Sequence, residues 1–362
     1  MAKCRLMDTD EDYRRLNLNK EPVECWEDGL RDDFASGKVE WWYFDAILDD
    51  GSKIAACYST KVQPFMKKEG LHPCLTFHIT TPDGKQLSRR ITKFKKDEAS
   101  IGKENCDVHF GEHLIQGDLQ EYRIKAAPVR GLGFDVTLTS TTTPWRGETG
   151  YIGFEEHDEK YFTWLCVVPS GKVEGTITID GKAYHVTGTG YHDHQWGNTV
   201  QYEFLNHWFW GRQKTQNYNI LVFDFIMNKH YEYKRIPLVF IEDENGKVIF
   251  ESSDNVQCTV EEEFFQEASQ TNFPKVIRYR FEKDGKQVDY ITRVKDELDG
   301  RYIYKRMPFF LRGMFQGTKP KYGRYLAEGT LNLTENGVQQ FRETSDFIYE
   351  FAYVGEEYKK YM

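Results

Sequence analysis

The fold of this chain is indicated by one stretch near its midpoint, Gly188-Thr-Gly-Tyr191-His192-Asp193-His194-Gln195-Trp196-Gly197-Asn198. If the stretch is extended, successive side chains point to opposite faces of a sheet. One face then carries His192, His194 and Trp196, and the other carries Tyr191, Asp193 and Gln195. One face could hold a substrate while the other orients the imidazoles, and the pattern leaves open which face lines a cavity. The alternative is a polar strand end whose histidines are only hydrogen-bonded.

Short β-rich segments separated by turns extend on both sides of this stretch. Asp-Gly or Asn-Gly pairs recur at positions 83–84, 180–181, 245–246, 284–285 and 336–337. Both residues of such a pair tolerate positive φ, so a pair between two apolar runs is a strong hairpin signal. No long stretch has helical periodicity. The sequence therefore predicts a mainly β, antiparallel fold, with a barrel or a sandwich as the two options.

The two halves of the chain resemble each other. Each half carries the pattern Glu-Gly-Thr-aliphatic-polar-aliphatic before a turn, at 174–181 and at 328–337. Each also has an indole pair near its start, at 41–42 and at 208–210. Residues 1–33 are acidic and irregular, and we expect them to form an arm that lies across the surface. The internal duplication predicts a first domain over 34–200 and a second over 201–362. A single large sandwich would leave the repeated pattern to chance.

Composition excludes several function classes. The chain has 362 residues and a formal net charge of −9, which argues against a nucleic-acid surface because phosphate binding needs a concentrated positive patch. The seven cysteines form no Cys-x-x-Cys pair, as is typical of reduced thiols in a cytoplasmic protein. Residues 1–15 are too charged for a signal peptide, and no run of 18 apolar residues exists. We therefore expect a cytoplasmic protein.

Three motifs together resemble one known superfamily. They are Glu40-Trp41-Trp42-Tyr43, Tyr191-His192-Asp193-His194-Gln195-Trp196-Gly197 and Trp208-Phe209-Trp210-Gly211. Their order and spacing resemble the lipocalin-like carotenoid 1,2-hydratase (hydroxyneurosporene synthase) superfamily, and Tyr-His-Asp-His-x-Trp-Gly is the specific part. The resemblance implies two lipocalin-like β-barrels side by side, with a ligand cavity near their junction. It also implies relatives that hydrate isoprenoid double bonds, and others that cyclise polyenes, among them fungal Diels–Alderases.

Hydration or cyclisation of an unactivated alkene needs a proton donor, and Asp224 is the leading candidate. Alternation within residues 219–226 places Asp224 on one face with Ile220, Val222 and Ile226. An apolar setting raises a carboxyl pKa and keeps the acid protonated. The alternative is an acid paired with an arginine in a structural network. The resemblance implies that the His-x-Trp element of the hydratases faces the acid, so His194 would be the partner of Asp224.

The remaining candidates surround this acid. Trp196 and either Trp208 or Trp210 could stabilise a carbocation through the ring face, or simply pack in the barrel. Glu40 is the fallback acid. The resemblance implies a tyrosine two positions before the acid, where this chain has Val222, and that departure favours a drier, cyclising site. The other predicted substrate-binding residues are Trp42, Tyr43, Tyr191 and His192.

No cofactor is predicted. Neither Gly-x-Gly-x-x-Gly nor Gly-x-x-x-x-Gly-Lys-[Ser/Thr] occurs, and no Gly-x-Ser-x-Gly nucleophile motif exists. Zinc on the His-x-His pair would need further ligands such as His207 or His185, so we expect no metal. The expected partner is a small lipophilic substrate, and the oligomeric state is open. The apolar segment 306–315 could be a lid, a route for contact with a membrane, or a core-closing helical turn.

Three functions remain open from sequence. The first is a cofactor-free hydratase or a terpenoid or polyene cyclase that works by acid catalysis. The second is a pericyclase of the Diels–Alder type, in which no proton moves. The third is a non-catalytic carrier of a lipophilic molecule, as lipocalins often are.

Overall fold

Two compact units make up the chain in the computed structural model. The structure describes residues 3–62, 65–267, 269–301, 309–312 and 320–355. One unit is Leu6–Thr199, here the N-terminal unit, and the other combines Met1–Arg5 with Val200–Met362, here the C-terminal unit. The segment 306–315, interpreted as a lid, a membrane contact or a core-closing helical turn, lies outside the described residues except for the helical residues Phe309–Arg312.

The N-terminal unit is built on one curled antiparallel sheet. Its strands follow the spatial order β5-β4-β3-β2-β13-β12-β10-β9-β8-β7-β6, and β11 also pairs with β12. After β1 (Cys4–Leu6), the strands of this unit are β2 (Val39–Leu48), β3 (Lys53–Ser59), β4 (Cys74–Thr80), β5 (Gln86–Ile91), β6 (Ala99–Ile101), β7 (Cys106–Phe110), β8 (His113–Gly117), β9 (Glu121–Val129), β10 (Leu132–Ser140), β11 (Tyr151–Phe154), β12 (Lys160–Ile179) and β13 (Lys182–Gly197).

The C-terminal unit contains a second curled antiparallel sheet. Among the described residues its spatial order is β17-β16-β15-β14-β22-β21-β20-β19-β18. The strands are β14 (Leu205–Lys214), β15 (Tyr218–Met227), β16 (Arg235–Asp243), β17 (Val248–Ser252), β18 (Val256–Gln266), β19 (Thr271–Lys283), β20 (Lys286–Arg301), β21 (Lys321–Glu335) and β22 (Val338–Tyr353). The predicted fold class, mainly β with an antiparallel barrel-like sheet in each half, is confirmed.

Helical structure is sparse in the described part of the chain. The α-helices are α1 (Asp10–Leu16), α2 (Gln201–Phe204) and α3 (Phe309–Arg312), and the 3-10 turns are Cys25–Asp28, Phe65–Lys67, Lys96–Glu98 and Lys229–Tyr231. The first helix begins at a capping box, in which the Thr9 hydroxyl accepts from the backbone N–H of Asp12. No helix among the described residues has the length and apolar character needed to span a membrane.

Local turn chemistry explains why many strands pair with the next strand in sequence. The Asp180-Gly181, Asp284-Gly285 and Asn336-Gly337 pairs have positive φ at both positions, and each joins two long antiparallel strands. Positive φ at both central residues matches the twist of a β-hairpin. The five predicted Asp-Gly and Asn-Gly turns all lie between strands that pair with each other.

Each unit has its own apolar core inside the curled sheet. Strand β21 shows the expected alternation of buried and half-buried side chains. Strands β13 and β15 differ, because residues 190–197 of β13 and 219–227 of β15 are buried on both faces. These two doubly buried stretches contain most of the predicted site residues.

Residues 1–33 were expected to form an arm across the surface, but part of this segment is buried. Residues 24–34, here called the strap, contribute Glu27 and Asp28 to the buried interior of the N-terminal unit. Trp42 donates from Nε1 to the carbonyl of Asp28 at 2.9 Å. The strap is therefore part of the core of this unit.

Candidate functional site

The histidines of β13 face the interior of the N-terminal unit. Across the β2–β13 register, His194 lies opposite Trp42 and Trp196 lies opposite Glu40. Trp42 and Trp196 both belong to the apolar core, and neighbours directly opposite each other share a face. The predicted separation of the two faces holds, and the inward face is the one with His192, His194 and Trp196.

His194 is held by a buried carboxylate. Its Nε2 lies 2.7 Å from Oε1 of Glu40, and both side chains are fully buried. The same carboxylate accepts the backbone N–H groups of Arg31 and Asp32, each at 2.8 Å. Trp42 stacks on the imidazole at a centroid distance of 4.5 Å. Glu40, predicted as a fallback acid, therefore joins the strap to β13.

Asp28 is the central residue that sequence reasoning missed. Its Oδ2 accepts a hydrogen bond from the Tyr122 hydroxyl at 2.7 Å and lies 3.2 Å from Nε2 of His192. Its Oδ1 lies 3.4 Å from Nδ1 of His194. Burial alone would lower the pKa of His192, but the Asp28 carboxylate more than offsets this and raises it. The available signal was an acidic pair at 27–28 inside a segment without periodicity.

The opposite face of β13 carries a second buried acid. Asp193 accepts hydrogen bonds from Tyr191 at 2.7 Å, Gln195 at 3.0 Å and Trp164 at 3.2 Å. Burial raises the pKa of Asp193, and the three donors partly offset it. Tyr43, a predicted substrate-binding residue, is half-buried on the same face and donates to Asp45 at 3.0 Å. Both carboxyl oxygens of Asp193 therefore accept hydrogen bonds from neighbouring side chains.

Asp224 lies in the C-terminal unit, on the inward face of β15. It is fully buried and shares that face with Ile220, Val222 and Ile226, which belong to the core. Its nearest charged group is Arg235, whose Nε is 3.1 Å from Oδ1, and neither carboxyl oxygen receives a hydrogen bond of good geometry. Burial raises the pKa of Asp224, and the Arg235 charge and the Tyr279 phenol partly offset it.

The predicted partnership between Asp224 and His194 is corrected by these contacts. Both ring nitrogens of His194 are held within its own unit, Nε2 by Glu40 and Nδ1 by the Glu27 carbonyl and Asp28. Asp224 does lie next to an arginine, as the alternative predicted, and its catalytic role stays a prediction. The sequence could not predict this contact, because Arg235 meets Asp224 only through the register of β15 with β16, in which Ile226 opposes Arg235.

A small aromatic cavity lies within the C-terminal unit and is lined in part by Tyr279, whose phenol interacts with Asp224. Its volume is about 10 Å³, close to the smallest space that holds one water molecule. The lining residues are Phe209, Trp210, Gly211, Val222, Tyr279, Tyr290, Thr292, Phe347 and Tyr349. The hydroxyls of Tyr279 and Tyr349 are buried without a hydrogen bond of good geometry. Two predicted substrate-binding residues, Trp210 and Val222, thus meet two polar groups that lack hydrogen bonds.

The remaining predicted residues do not line this cavity. Trp208 is half-buried and donates from Nε1 to Glu350 at 3.1 Å. Trp196 donates to the Tyr151 hydroxyl at 3.0 Å in the N-terminal unit. His185, considered as a zinc ligand, is exposed and lies 3.8 Å from Glu174. His207 is buried and stacks on Tyr353, with ring centroids 5.5 Å apart.

Three curated proteins are similar in sequence to parts of this chain. The chain is 26% identical over 158 residues to a quinolone epoxide rearrangement protein, penF, of Penicillium thymicola, covering 42% of each protein. It is 23% identical over 253 residues to a hydroxyneurosporene dehydrogenase of Chlorobaculum tepidum, covering 59% of this chain and 63% of that protein. It is 24% identical over 251 residues to a ceramide-binding protein, svf1, of Schizosaccharomyces pombe, covering 65% and 63%. The chain thus spans less than two thirds of the length of these curated relatives.

Solved structures share the fold. Kievitone hydratase from Nectria haematococca has a TM-score of 0.56 at 15% identity, with 92% of this chain and 93% of that chain covered. CghA has a TM-score of 0.62 at 13% identity, with 94% of each chain covered. The AttH-like family profile matches residues 29–317. The superfamily predicted from the three motifs is confirmed, and the chain belongs to the AttH-like family.

Proposed function

We propose that this protein is an enzyme of the lyase or isomerase type that hydrates or cyclises an alkene in a lipophilic isoprenoid or polyene substrate, with Asp224 as the proton donor. One observation carries the proposal. A fully buried carboxyl, whose pKa is raised by burial, lies in an aromatic barrel interior without a well-formed hydrogen bond, on the same strand face as Val222, which lines a small cavity. Buried polar groups normally have hydrogen bonds, so such an exception points to a functional role.

The chemistry needs only a proton and a protected cation. The protonated carboxyl of Asp224 gives its proton to one alkene carbon, and the neighbouring carbon becomes a carbocation. Aromatic rings such as Trp210 stabilise that charge by roughly 0.5–2 kcal/mol each when water is excluded. A water molecule then forms a C–O bond, or a second double bond forms a C–C bond. Loss of a proton to the carboxylate completes the cycle.

Arg235 positions the acid in this proposal. Its guanidinium lies against one carboxyl oxygen, and in this proposal the other oxygen faces the substrate. Its charge also limits how far burial raises the pKa of Asp224. A general acid works best when its pKa lies near the operating pH, and the balance of burial against a cation is how proteins reach such values.

The relatives support the reaction class. One fold neighbour is a hydratase, and one sequence relative is a protein of quinolone epoxide rearrangement. Both descriptions belong to those proteins, and the present chain shares with them the fold or a part of the sequence. Hydration and rearrangement are reactions that a buried acid can start without a redox cofactor.

The test compares Asp224→Asn with Asp346→Asn, an exposed acid on the same unit that pairs with Lys295. The substrates are prenylated phenols, acyclic isoprenoids and linear polyenes, incubated in deuterated water. We expect a product that carries deuterium on carbon, and a loss of roughly 10²–10⁴-fold in rate for Asp224→Asn only. Full activity of Asp224→Asn rules out this acid. A product without deuterium indicates a pericyclic reaction instead.

A carrier function is the second candidate, because one relative is a ceramide-binding protein. In that case a lipophilic compound would bind and be recovered unchanged after long incubation. Binding by Asp224→Asn would equal that of the wild type. Turnover of any compound by the wild-type chain, but not by the variant, excludes the carrier as the main role.

A further inference from the structure

The partners of His192 require either a proton or a cation between its Nε2 and the Asp28 carboxylate. Nδ1 of His192 lies 2.8 Å from the Tyr43 carbonyl oxygen. A carbonyl only accepts hydrogen bonds, so Nδ1 carries the hydrogen and Nε2 of a neutral ring presents a lone pair. That lone pair faces Oδ2 of Asp28 at 3.2 Å, another acceptor. Two acceptors at this distance need a cation or a proton between them.

The carboxylate cannot relieve this conflict easily. The backbone N–H of Leu119 donates to the Tyr122 hydroxyl at 3.1 Å, so the phenol directs its own hydrogen to Oδ2 of Asp28, at 2.7 Å. Oδ2 thus already accepts one hydrogen bond. Oδ1 of Asp28 accepts no hydrogen bond of good geometry and is fully buried. Nδ1 of His194 lies 3.4 Å from Oδ1 but also 3.3 Å from the Glu27 carbonyl oxygen, so a cation would further lower the cost of burying this carboxylate.

The thiol of Cys106 lies close to Asp28 and His192. Ligand atoms of Asp28, Cys106 and His192 lie within 4.8 Å of one another, and all three residues are buried. Thiolate, imidazole and carboxylate are the ligands that Zn²⁺ takes in proteins. A metal-binding histidine usually donates its other N–H to a carbonyl or carboxylate, as His192 does to Tyr43. One thiolate and one carboxylate also balance the charge of a divalent ion.

We propose that Asp28, Cys106 and His192 bind a Zn²⁺ ion inside the N-terminal unit, where it fixes the strap to strands β7 and β13. Oδ1 of Asp28 offers a further oxygen to the same ion. Binding displaces the thiol proton of Cys106, which is released to solvent. Since the ligands are buried, the ion enters as the unit folds. This site is independent of Asp224 and of the proposed reaction.

The experiment measures metal content in the purified full chain. Wild type, Cys106→Ser and Cys74→Ser are expressed with added zinc and dialysed, and zinc is determined by mass spectrometry. Cys74 is a buried thiol of the same unit that lies near Thr76. We expect one zinc ion per chain in wild type and Cys74→Ser, and near zero in Cys106→Ser. Zinc retained by Cys106→Ser overturns the assignment.

Two further measurements keep the proposal testable if Cys106→Ser fails to fold. Wild type refolded with Co²⁺ should show a thiolate-to-cobalt charge-transfer band. Tyr122→Phe removes the hydrogen bond to Asp28 and should lower zinc affinity by about 10–100-fold in competition with a chromogenic chelator. A wild-type chain that holds no zinc, and whose Tm changes with neither Zn²⁺ nor chelator during refolding, shows that a proton occupies the position instead.

Discussion

Nε of Arg235 lies 3.1 Å from Oδ1 of Asp224, with the carboxyl fully buried and the guanidinium side chain 13% exposed. A pair of this kind, in a barrel interior, carries two opposite energetic consequences. Its attraction offsets the cost of removing both charges from water, but loss of one partner leaves the other buried and uncompensated. The pair therefore links the stability of the C-terminal unit to the protonation of its candidate acid.

Arg235→Met should destabilise the protein by about 3–5 kcal/mol at neutral pH, because the Asp224 carboxyl stays buried without its cation. The double variant Asp224→Asn/Arg235→Met should recover much of that loss. Arg293→Met is the matched control, since Arg293 forms an exposed pair with Glu262. Its cost should be at most about 1 kcal/mol. Urea denaturation of the four proteins measures this, and equal costs for the two arginine variants would contradict a buried pair.

Turnover should fall as the pH rises through the raised pKa of Asp224, since only the protonated carboxyl donates. The contribution of Asp224 to stability should also fall as the pH rises. The folded state holds the Asp224 proton more tightly than the unfolded chain, whose aspartate titrates near 3.8. The contribution of Asp224 to the unfolding free energy is therefore largest below that value and is lost as the pH rises through the folded pKa. Comparing wild type with Asp224→Asn over pH 3–8 isolates this contribution, and identical slopes would argue against a raised pKa.

Much of the fold could be predicted because its determinants are local. Asp-Gly and Asn-Gly pairs fix hairpins through their own backbone preferences, whatever the rest of the chain does. Alternation likewise separated His194 from Asp193 and placed Asp224 with Val222, because a strand allows only two faces.

The partners of these residues could not be predicted because they depend on long-range register. His192 meets Asp28 across 164 positions, through a strap without periodicity. His194 meets Glu40 across 154 positions, through the pairing of β13 with β2. Either histidine could equally have faced an acid of the second half on sequence alone. Motif resemblance indicated the right strands, but the side-chain contacts depend on how distant parts of the chain pair.

His207 should make the protein sensitive to acid. Burial, and then the nearby Arg235 charge, lower the pKa of His207 from 6.5 to about 3. The unfolded chain binds a proton there between these values and the folded chain does not, so stability falls as the pH drops from 6.5 toward 3. This difference in pKa between the unfolded and folded states corresponds to a change in the unfolding free energy on the order of 5 kcal/mol. His207→Phe should flatten the acid limb of unfolding free energy against pH, and parallel limbs would contradict the lowered pKa.

Glu40→Gln should loosen the strap. The Glu40 carboxylate accepts two backbone N–H groups of residues 31–32 and lies 2.7 Å from Nε2 of His194. The amide keeps the shape but removes the charge and one acceptor, so we expect a loss of about 2–4 kcal/mol. Faster proteolytic cleavage between residues 16 and 38 should accompany it. Glu174→Gln, at an exposed acid 3.8 Å from His185, is the control and should leave both measurements near those of the wild type. Unchanged cleavage in Glu40→Gln would mean that packing of Trp42 and Leu30, rather than this carboxylate, holds the strap.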